Sequence, residues 1–412
     1  MISTGASGAV GLLFWAVASH RYSETTVGEN AALISAMMTL STFAQLDLAA
    51  MLMRFLPRWR SEAAGAVAKA YAASVGAAVV LGLGFVMVAA RLDGSLAFLG
   101  DPGLAVLFIG GVAAWGIFAI QDGALTGLGR ATVVPVENTA FGVAKLVLLA
   151  AIVGGGARWG IYASWTLPVV VSIVPINYLI FRRYLHHHRR LPPHPERMDR
   201  RTIARYIAFD YAGGLCGALV SMAMPLLVFL LLGGAAGAQF YVAWTLVMVL
   251  DAVALSLGSS LLVEGSYDPA LLVAGARRVI RRGLLLVLPA VAIVVVAAPL
   301  LLAVFGHGYS VEATALLRIL VIGLIPRSVL ILYTSVARVQ GDVDRVLRVV
   351  LASTAAILVG VVVLGRAFGL AGVGIGWVLG YAIVAIPLVG RLVGLLRRPA
   401  TLDVPAVAEA RP

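Results

Sequence analysis

Long apolar runs dominate the sequence, and short polar stretches separate them. We place these runs at 4–20, 30–53, 65–90, 102–126, 133–153 and 160–181, and then at 205–232, 237–262, 283–305, 312–337, 346–365 and 370–396. A helix needs roughly 20 apolar residues to cross the hydrocarbon of a bilayer. The runs lack the two-residue alternation of a barrel strand, and a backbone in lipid must satisfy its own hydrogen bonds. The pattern therefore predicts an all-α polytopic membrane protein of about 12 transmembrane helices.

One long polar segment, Arg182 to Arg205, divides the chain into two nearly equal halves. It contains eight arginines, four histidines and three prolines. Such a segment can neither cross a bilayer nor build a core, so it lies in water at a membrane face. We predict a six-helix lobe at 1–181, a cytoplasmic linker at 182–204, a second six-helix lobe at 205–396 and a cytoplasmic tail at 397–412.

The two halves carry a weak internal repeat. A shift of 212 residues aligns WGIYASWTL with AGVGIGWVL and brings four pairs into register: Gly129 with Gly341, Gly160 with Gly372, Trp165 with Trp377 and Leu167 with Leu379. Because each half has an even number of predicted helices, both copies have the same orientation. We expect a pseudo-two-fold axis along the membrane normal, with a shared site between the lobes near the midplane. This arrangement is typical of an alternating-access machine.

Composition and charge agree with a multi-pass membrane protein. The chain is 61% hydrophobic and 12% charged, with a net charge of +12. Most basic residues fall in alternate loops, whereas the opposite loops hold only Arg21, Arg91, Arg158 and Arg366. This bias follows the positive-inside rule and predicts that both termini are cytoplasmic. The charges therefore indicate topology rather than nucleic-acid binding. Contact with acidic lipid headgroups is a second role that basic residues at a membrane face can have.

The sequence shows no enzyme motif, so we expect neither a catalytic site nor a cofactor. Cys216 is the only cysteine, which leaves no disulfide or thiolate metal site. Asp342-Val-Asp344 has the D-x-D spacing of sugar-nucleotide transferases, but we interpret it as the capped start of a helix. The histidines His186–His188 and His194 are residue types that bind metals, but they lie in a flexible loop rich in proline and arginine. We therefore expect no metal there.

Three cations are candidate substrate ligands inside the membrane. Arg327 is the deepest cation, and a charge at that depth needs either a polar cavity or a buried ion pair. Lys145 lies about a dozen residues into its helix, and both a cavity role and a pairing with Asp122 stay open. Arg54 lies at the cytoplasmic mouth of the second helix, as a cavity cation or an interfacial anchor.

Acidic and amide residues form the second group of candidates. Asn138 and Lys145 share one helix face with Phe141, and Glu137 lies beside it. Asp47 is seven residues before Arg54, so we expect it to line the same cavity. Intramembrane carboxylates pair with arginine or carry a coupling proton, and three are candidates for ion coupling: Asp210, Asp251 and Asp122.

Several stretches resemble a known family over nearly the whole chain. VGENAALISA, LDLAAMLMRFLPRW, GLGRATVVPVENTAFGVAKLVLL, FYVAWTLV and SSLLVEGSYD are similar to bacterial polysaccharide and O-antigen flippases of the multidrug/oligosaccharidyl-lipid/polysaccharide (MOP) superfamily. The resemblance implies two six-helix bundles around a cation-lined cavity in the bacterial plasma membrane. It also implies transport of an undecaprenyl-diphosphate-linked oligosaccharide to the outer leaflet for polysaccharide biosynthesis, with glycan polymerases and glycosyltransferases of the pathway as partners. The short first helix departs from the family pattern.

Other classes remain as alternatives. A multidrug or organic-cation antiporter of the same superfamily would favour acids such as Asp47, Asp210 and Asp251 over cations in its cavity. A major-facilitator carrier also has twelve helices, but RFLPRWRSEAAG lacks the Asp-Arg-x-Gly-Arg type of signature that such carriers show. A membrane glycan polymerase or glycosyltransferase would need a large external loop or catalytic acids at a membrane face, and the predicted outer loops are short. For a flippase, we expect loss of Arg327 or Lys145 to abolish export.

Overall fold

The computed structural model describes residues 2–59, 61–91, 94, 96–152, 157–190, 200–267, 272–340 and 342–397. Every long regular element in these ranges is an α-helix, as the apolar pattern predicts. The helices are α1 (Ile2–Arg21), α2 (Glu24–Ala44), α3 (Leu48–Phe55), α4 (Ala63–Arg91), α5 (Pro102–Gly127), α6 (Val133–Ile152), α7 (Gly160–Tyr178), α8 (Leu185–Arg189), α9 (Arg200–Ser221), α10 (Met224–Leu232), α11 (Gly234–Tyr267), α12 (Leu272–Ala303), α13 (His307–Glu312), α14 (Thr314–Ile322), α15 (Leu324–Val339) and α16 (Val343–Arg397).

The described helices confirm a polytopic membrane protein. Within the described ranges, seven helices are long and apolar enough to cross a bilayer, and nine spans result if each of two bent helix pairs counts as one. One of the seven is a stretch of 49 residues in α16, which bends at Gly369, where φ is 60°. The predicted number of 12 spans remains a prediction.

The chain forms two compact units. The first unit comprises 1–243 and 302–313, and the second comprises 244–301 and 314–412. Each unit therefore combines a continuous helical stretch with a shorter piece from elsewhere in the sequence. The predicted lobe boundaries around the linker at 182–204 stay a prediction.

Two predicted spans are not single straight helices. The span at 30–53 breaks between α2 and α3, which meet at a bend of 49°, and Leu46 and Asp47 there have φ values of 50° and 57°. This left-handed conformation is costly for residues other than glycine, so surrounding contacts must hold the break in place. The span at 205–232 bends by 42° between α9 and α10. Pro225 in the first turn of α10 lacks a backbone donor, which favours a helix start there.

Glycines of α16 let two parts of this helix approach each other closely. In α16, a Cβ added at Gly376 would overlap the backbone of Gly360, and one at Gly380 would lie 2.6 Å from the Cα of Ile357. The two arms of α16 therefore approach backbone to backbone, as small residues allow. Three glycines of α9, by contrast, have open space around them in the described structure: Gly213, Gly214 and Gly217.

The predicted helix cap at Asp342 is confirmed. Its carboxylate accepts the backbone N–H of Arg345 at 3.0 Å, immediately before α16 begins at Val343. A side-chain oxygen in this position satisfies one of the unpaired donors of the first turn. The D-x-D spacing therefore has a structural explanation in the fold.

Candidate functional site

Lys145 lies in a cage of aromatic rings inside the first unit. Helix α6 carries Lys145 one turn after Phe141, α1 contributes Phe14 and α7 contributes Trp165. The Lys145 ammonium lies 3.5 Å from the ring centroid of Trp165 and 5.1 Å from those of Phe14 and Phe141. Only 6% of the residue is exposed. Aromatic faces attract a cation by about 0.5–2 kcal/mol each, which offsets part of the cost of burying the charge.

Among the described residues, no carboxylate completes this site. Among the ion pairs in the described part of the chain, none involves Lys145, so the alternative pairing with Asp122 is not formed. The buried Trp165 Nε1–H also has no acceptor there. An uncompensated buried charge is expensive unless a counter-charge reaches it. The cage therefore presents two buried donors, an ammonium and an indole N–H, that suit an anionic group.

The cage belongs to a larger aromatic cluster of the first unit. Trp115 lies 6.4 Å from Trp165 and 5.9 Å from Phe141, and Phe118 lies 5.5 Å from Phe141. Trp15 packs against Phe14 at 5.4 Å. The cluster surrounds the cation mainly with the apolar faces of aromatic rings. The sequence placed Phe141 on the Lys145 face by its spacing, but it gave no signal that joined Phe14 or Trp165 to that face.

A separate polar cluster joins α5, α6 and α7. Gln121 donates a hydrogen bond to Glu137 Oε1, and Asn177 Nδ2 donates to Gln121 Oε1 at 3.1 Å. Asn138 lies close to Asp122. Glu137 is only 5% exposed, and one oxygen of each carboxyl group has no partner in the described structure. The cluster therefore holds three amides and two acids, of which Glu137 is buried and Asp122 is half-buried.

The acid–amide cluster and the lysine cage are separate sites. Lys145 follows Glu137 by eight residues, which is a rise of about 12 Å along an α-helix. The structure thus brings together Glu137, Asn138 and Asp122, but it does not bring them to Lys145 as one polar stripe. Heptad spacing alone does not distinguish one continuous stripe from two clusters on neighbouring turns.

Arg327 in the second unit has a complete set of partners. Its Nε and Nη2 atoms donate to both oxygens of Asp251, the second at 2.6 Å, and its Nη1 donates to the hydroxyl of Tyr381. The side chains of Arg327 and Asp251 are 16% and 4% exposed. Because planar bidentate pairs are the strongest geometry available to arginine, Asp251 matches the charge of Arg327. The structure therefore contains the buried ion pair that the sequence left open.

The repeat relates the tryptophans of the two units but not their cations. Trp165 contacts Lys145, and its counterpart Trp377 lies 5.9 Å from the guanidinium carbon of Arg327. The position 212 residues after Lys145 is the buried Ile357. Each unit thus has a cation beside the equivalent tryptophan, but the two cations do not occupy equivalent positions of the repeat. The first unit leaves its cation without a carboxylate in the described structure, whereas the second unit pairs its cation.

The remaining predicted residues lie apart from these clusters. Arg54 is exposed near the end of α3, with its guanidinium 5.8 Å from the ring of Phe55. Asp47 lies at the break between α2 and α3, so the two residues do not belong to one uninterrupted helix. The Asp210 side chain and His194 lie outside the described residues. His188 Nε2 contacts backbone carbonyls rather than a metal site.

Solved structures identify the class of fold. The chain is similar to the inward-facing conformation of a multidrug resistance MATE family transporter of the MOP superfamily, with a TM-score of 0.70 and 19% identity over 94% of this chain and 95% of that one. It is also similar to a MOP superfamily transporter from Pyrococcus furiosus, for which reverse polarity of the binding pocket suggests a different function. That match has a TM-score of 0.65 and 18% identity over 97% of this chain and 94% of that one.

A third structure, of MATE in complex with MaD5, gives a TM-score of 0.64 with 19% identity over 97% of this chain and 94% of that chain. No protein-family model matches the sequence, and no curated protein matches it significantly. The chain therefore has the fold of these solved MOP superfamily transporters. Within that superfamily its solved structural neighbours are MATE-like.

Proposed function

We propose that this protein is a flippase that moves an anionic lipid-linked oligosaccharide, of the undecaprenyl-diphosphate type, to the outer leaflet by alternating access. The observation that carries the proposal is the buried Lys145 ammonium, which has aromatic neighbours and no carboxylate partner among the described residues. A transporter for organic cations would have no use for such a group. A transporter for a diphosphate needs one, because the anion must be stabilised away from water.

The cargo chemistry fits the cage in three respects. The lipid tail can stay in the bilayer, so the protein need only shelter the polar headgroup. The ammonium of Lys145 and the indole N–H of Trp165 are donors for diphosphate oxygens. The flat faces of Trp115 and Phe118 supply apolar surface for the C–H faces of sugar rings. We assign the diphosphate to Lys145 and Trp165, and we assign Arg54, which is exposed near the end of α3, to initial attraction of the headgroup.

Arg327 has a different role in this proposal. Its guanidinium already donates to both oxygens of Asp251 and to Tyr381. Binding a diphosphate there would require this pair to open, which leaves the buried Asp251 uncompensated. We therefore assign Arg327 to holding the second unit together rather than to the cargo.

The fold alone leaves the charge of the cargo open. The transporter from Pyrococcus furiosus shares this fold, and the reverse polarity of its binding pocket suggests a different function. The charge of individual buried residues therefore carries the assignment, and in this chain the unpaired residue of the cage is a cation. We place the protein in the bacterial plasma membrane with both termini in the cytoplasm, in a pathway with glycosyltransferases and a glycan polymerase.

A multidrug or organic-cation antiporter is the second candidate. The carboxylates of buried Glu137 and half-buried Asp122 favour it, since no lysine or arginine of the described residues pairs with either of them. The solved structures that this chain resembles include a multidrug resistance transporter. In a flippase, the same two acids would serve as the site of a coupling ion. The two candidates therefore differ in which of the two clusters of the first unit contacts the cargo.

Reconstitution into liposomes tests the proposal. A fluorescent polyprenyl-diphosphate oligosaccharide is incorporated in one leaflet, and its arrival in the other leaflet is followed by quenching. We expect transport by the wild type and by Lys69→Gln, which removes an exposed lysine of α4, and loss of transport in Lys145→Gln. If the wild type moves no glycolipid but exchanges organic cations in a manner that depends on Glu137, the antiporter replaces the flippase.

A further inference from the structure

The end of α7 continues into a segment with one apolar face and one basic face. Leu179–Tyr184 forms a π-helix that leads directly into α8. In a π-helix, residues five apart lie on the same face, which brings Ile180 and Leu185 into line. Both are buried, with exposures of 0% and 1%, and His188 follows one α-helical turn later at 6%. The π-helix therefore determines which side chains of this segment face the protein.

This apolar face is fixed to the first unit. Ile180 and Leu185 belong to a hydrophobic core that also contains Phe55 and Leu56 of the α3 end. His188 Nε2 lies 3.1 Å from the carbonyl oxygen of Leu56 and 3.0 Å from that of Trp59. The imidazole thus binds the segment to the connection between α3 and α4. Segment 179–190 is a docked part of the fold at the exit of a membrane-spanning helix.

The opposite face of the segment is exposed and positively charged. We call it the basic face and define it by its arginines: Arg182, Arg183, Arg189 and Arg190. All four are exposed, and none takes part in an ion pair among the described residues. Arg130 extends the same charge, since its guanidinium lies 5.2 Å from the ring of Tyr184. Glu62 is exposed in the connection between α3 and α4 that His188 contacts, but it forms no ion pair with the basic face in the described structure.

We propose that the basic face binds the headgroups of anionic phospholipids. The segment emerges from α7 at the surface of the bilayer, where basic side chains meet the phosphates of the leaflet. Arginine offers two parallel N–H donors to a phosphate, and the docked backbone holds four such side chains on one surface. The interaction is independent of the transported cargo. A positive-inside bias requires only that these charges stay on one side, and it predicts no selective lipid binding by the purified protein.

Native mass spectrometry on the detergent-purified protein tests the proposal. The protein is titrated with phosphatidylglycerol and with phosphatidylcholine of the same acyl chains, and bound lipids are counted. Each basic residue near an anionic surface contributes about fivefold in affinity, so Arg182→Gln/Arg183→Gln/Arg189→Gln should weaken phosphatidylglycerol binding roughly a hundredfold. Phosphatidylcholine binding should not change.

Two matched variants control for folding and for net charge. Arg21→Gln/Arg91→Gln/Arg366→Gln removes three exposed arginines from the loops predicted on the other side, and it should keep the wild-type preference for phosphatidylglycerol. Arg182→Lys/Arg183→Lys/Arg189→Lys keeps the charge and should retain most of the binding. Equal loss in both neutralised variants, or a wild type that binds the two lipids alike, would overturn the proposal. Displacement of phosphatidylglycerol by an equal concentration of soluble inorganic diphosphate would also overturn it, because the face would then be a site for free anions.

Discussion

The ion pair between Arg327 and Asp251 allows us to predict how much substitutions in the second unit lower the free energy of unfolding. Asp251→Asn removes the charge of a carboxylate that is 4% exposed, and it leaves a guanidinium that is only 16% exposed without compensation. Removal of one partner of such a pair costs about 3–5 kcal/mol, because the remaining charge stays buried. Tyr381→Phe removes one hydrogen bond to the same guanidinium and should cost about 1.5–3 kcal/mol.

A double-mutant cycle separates this explanation from a role in cargo binding. Arg327→Gln should destabilise about as much as Asp251→Asn, but the combined variant should cost clearly less than the sum, since it leaves no buried charge. Reversible unfolding in mixed micelles, followed by tryptophan fluorescence, gives the free energies. Additive effects of the two substitutions would refute the reasoning. So would an Arg327→Gln protein that is as stable as the wild type and defective only in transport.

Three further substitutions test other parts of the structure. Gly376→Ala should destabilise the protein by about 1–3 kcal/mol, because the new Cβ overlaps the backbone of the facing arm of α16, whereas Gly390→Ala has open space and should be neutral in the same unfolding assay. Arg158→Gln should cost less than about 1 kcal/mol although it breaks an ion pair with Glu29, since the Arg158 side chain is 57% exposed. Gln121→Ala should lower the free energy of unfolding by about 1–3 kcal/mol in the same assay, because it removes the hydrogen-bond donor to the buried carboxyl group of Glu137.

The sequence predicted the features that depend on composition and period. Long apolar runs require helices in a bilayer, and the superfamily fold agrees with the resemblance found in short motifs. The Asp342 cap followed from local chemistry at one helix start. These features depend on near neighbours along the chain, so a single sequence can reveal them.

Features that depend on tertiary contacts escaped prediction. LDLAAMLM is apolar enough to continue a helix, and nothing in it signals the left-handed backbone at Leu46 and Asp47. Arg327 and Asp251 are 76 residues apart in the chain, so their pairing is visible only in the fold. Likewise, the sequence around Lys145 gave no sign that Phe14 and Trp165 surround it, because those residues lie on other helices, α1 and α7, and only the fold brings them to α6.

The most direct test of the central claim compares two cargoes that differ only in charge. The same fluorescent oligosaccharide is attached to polyprenyl diphosphate or to a neutral polyprenol, and flipping is measured in liposomes that contain wild type, Lys145→Gln or Lys145→Arg. Charge complementarity at the cage predicts that the wild type moves the diphosphate cargo and discriminates against the neutral one. Lys145→Gln should lose this discrimination, and Lys145→Arg should keep part of it. Equal preference for the diphosphate cargo in the wild type and in Lys145→Gln would contradict the assignment of Lys145 to the cargo.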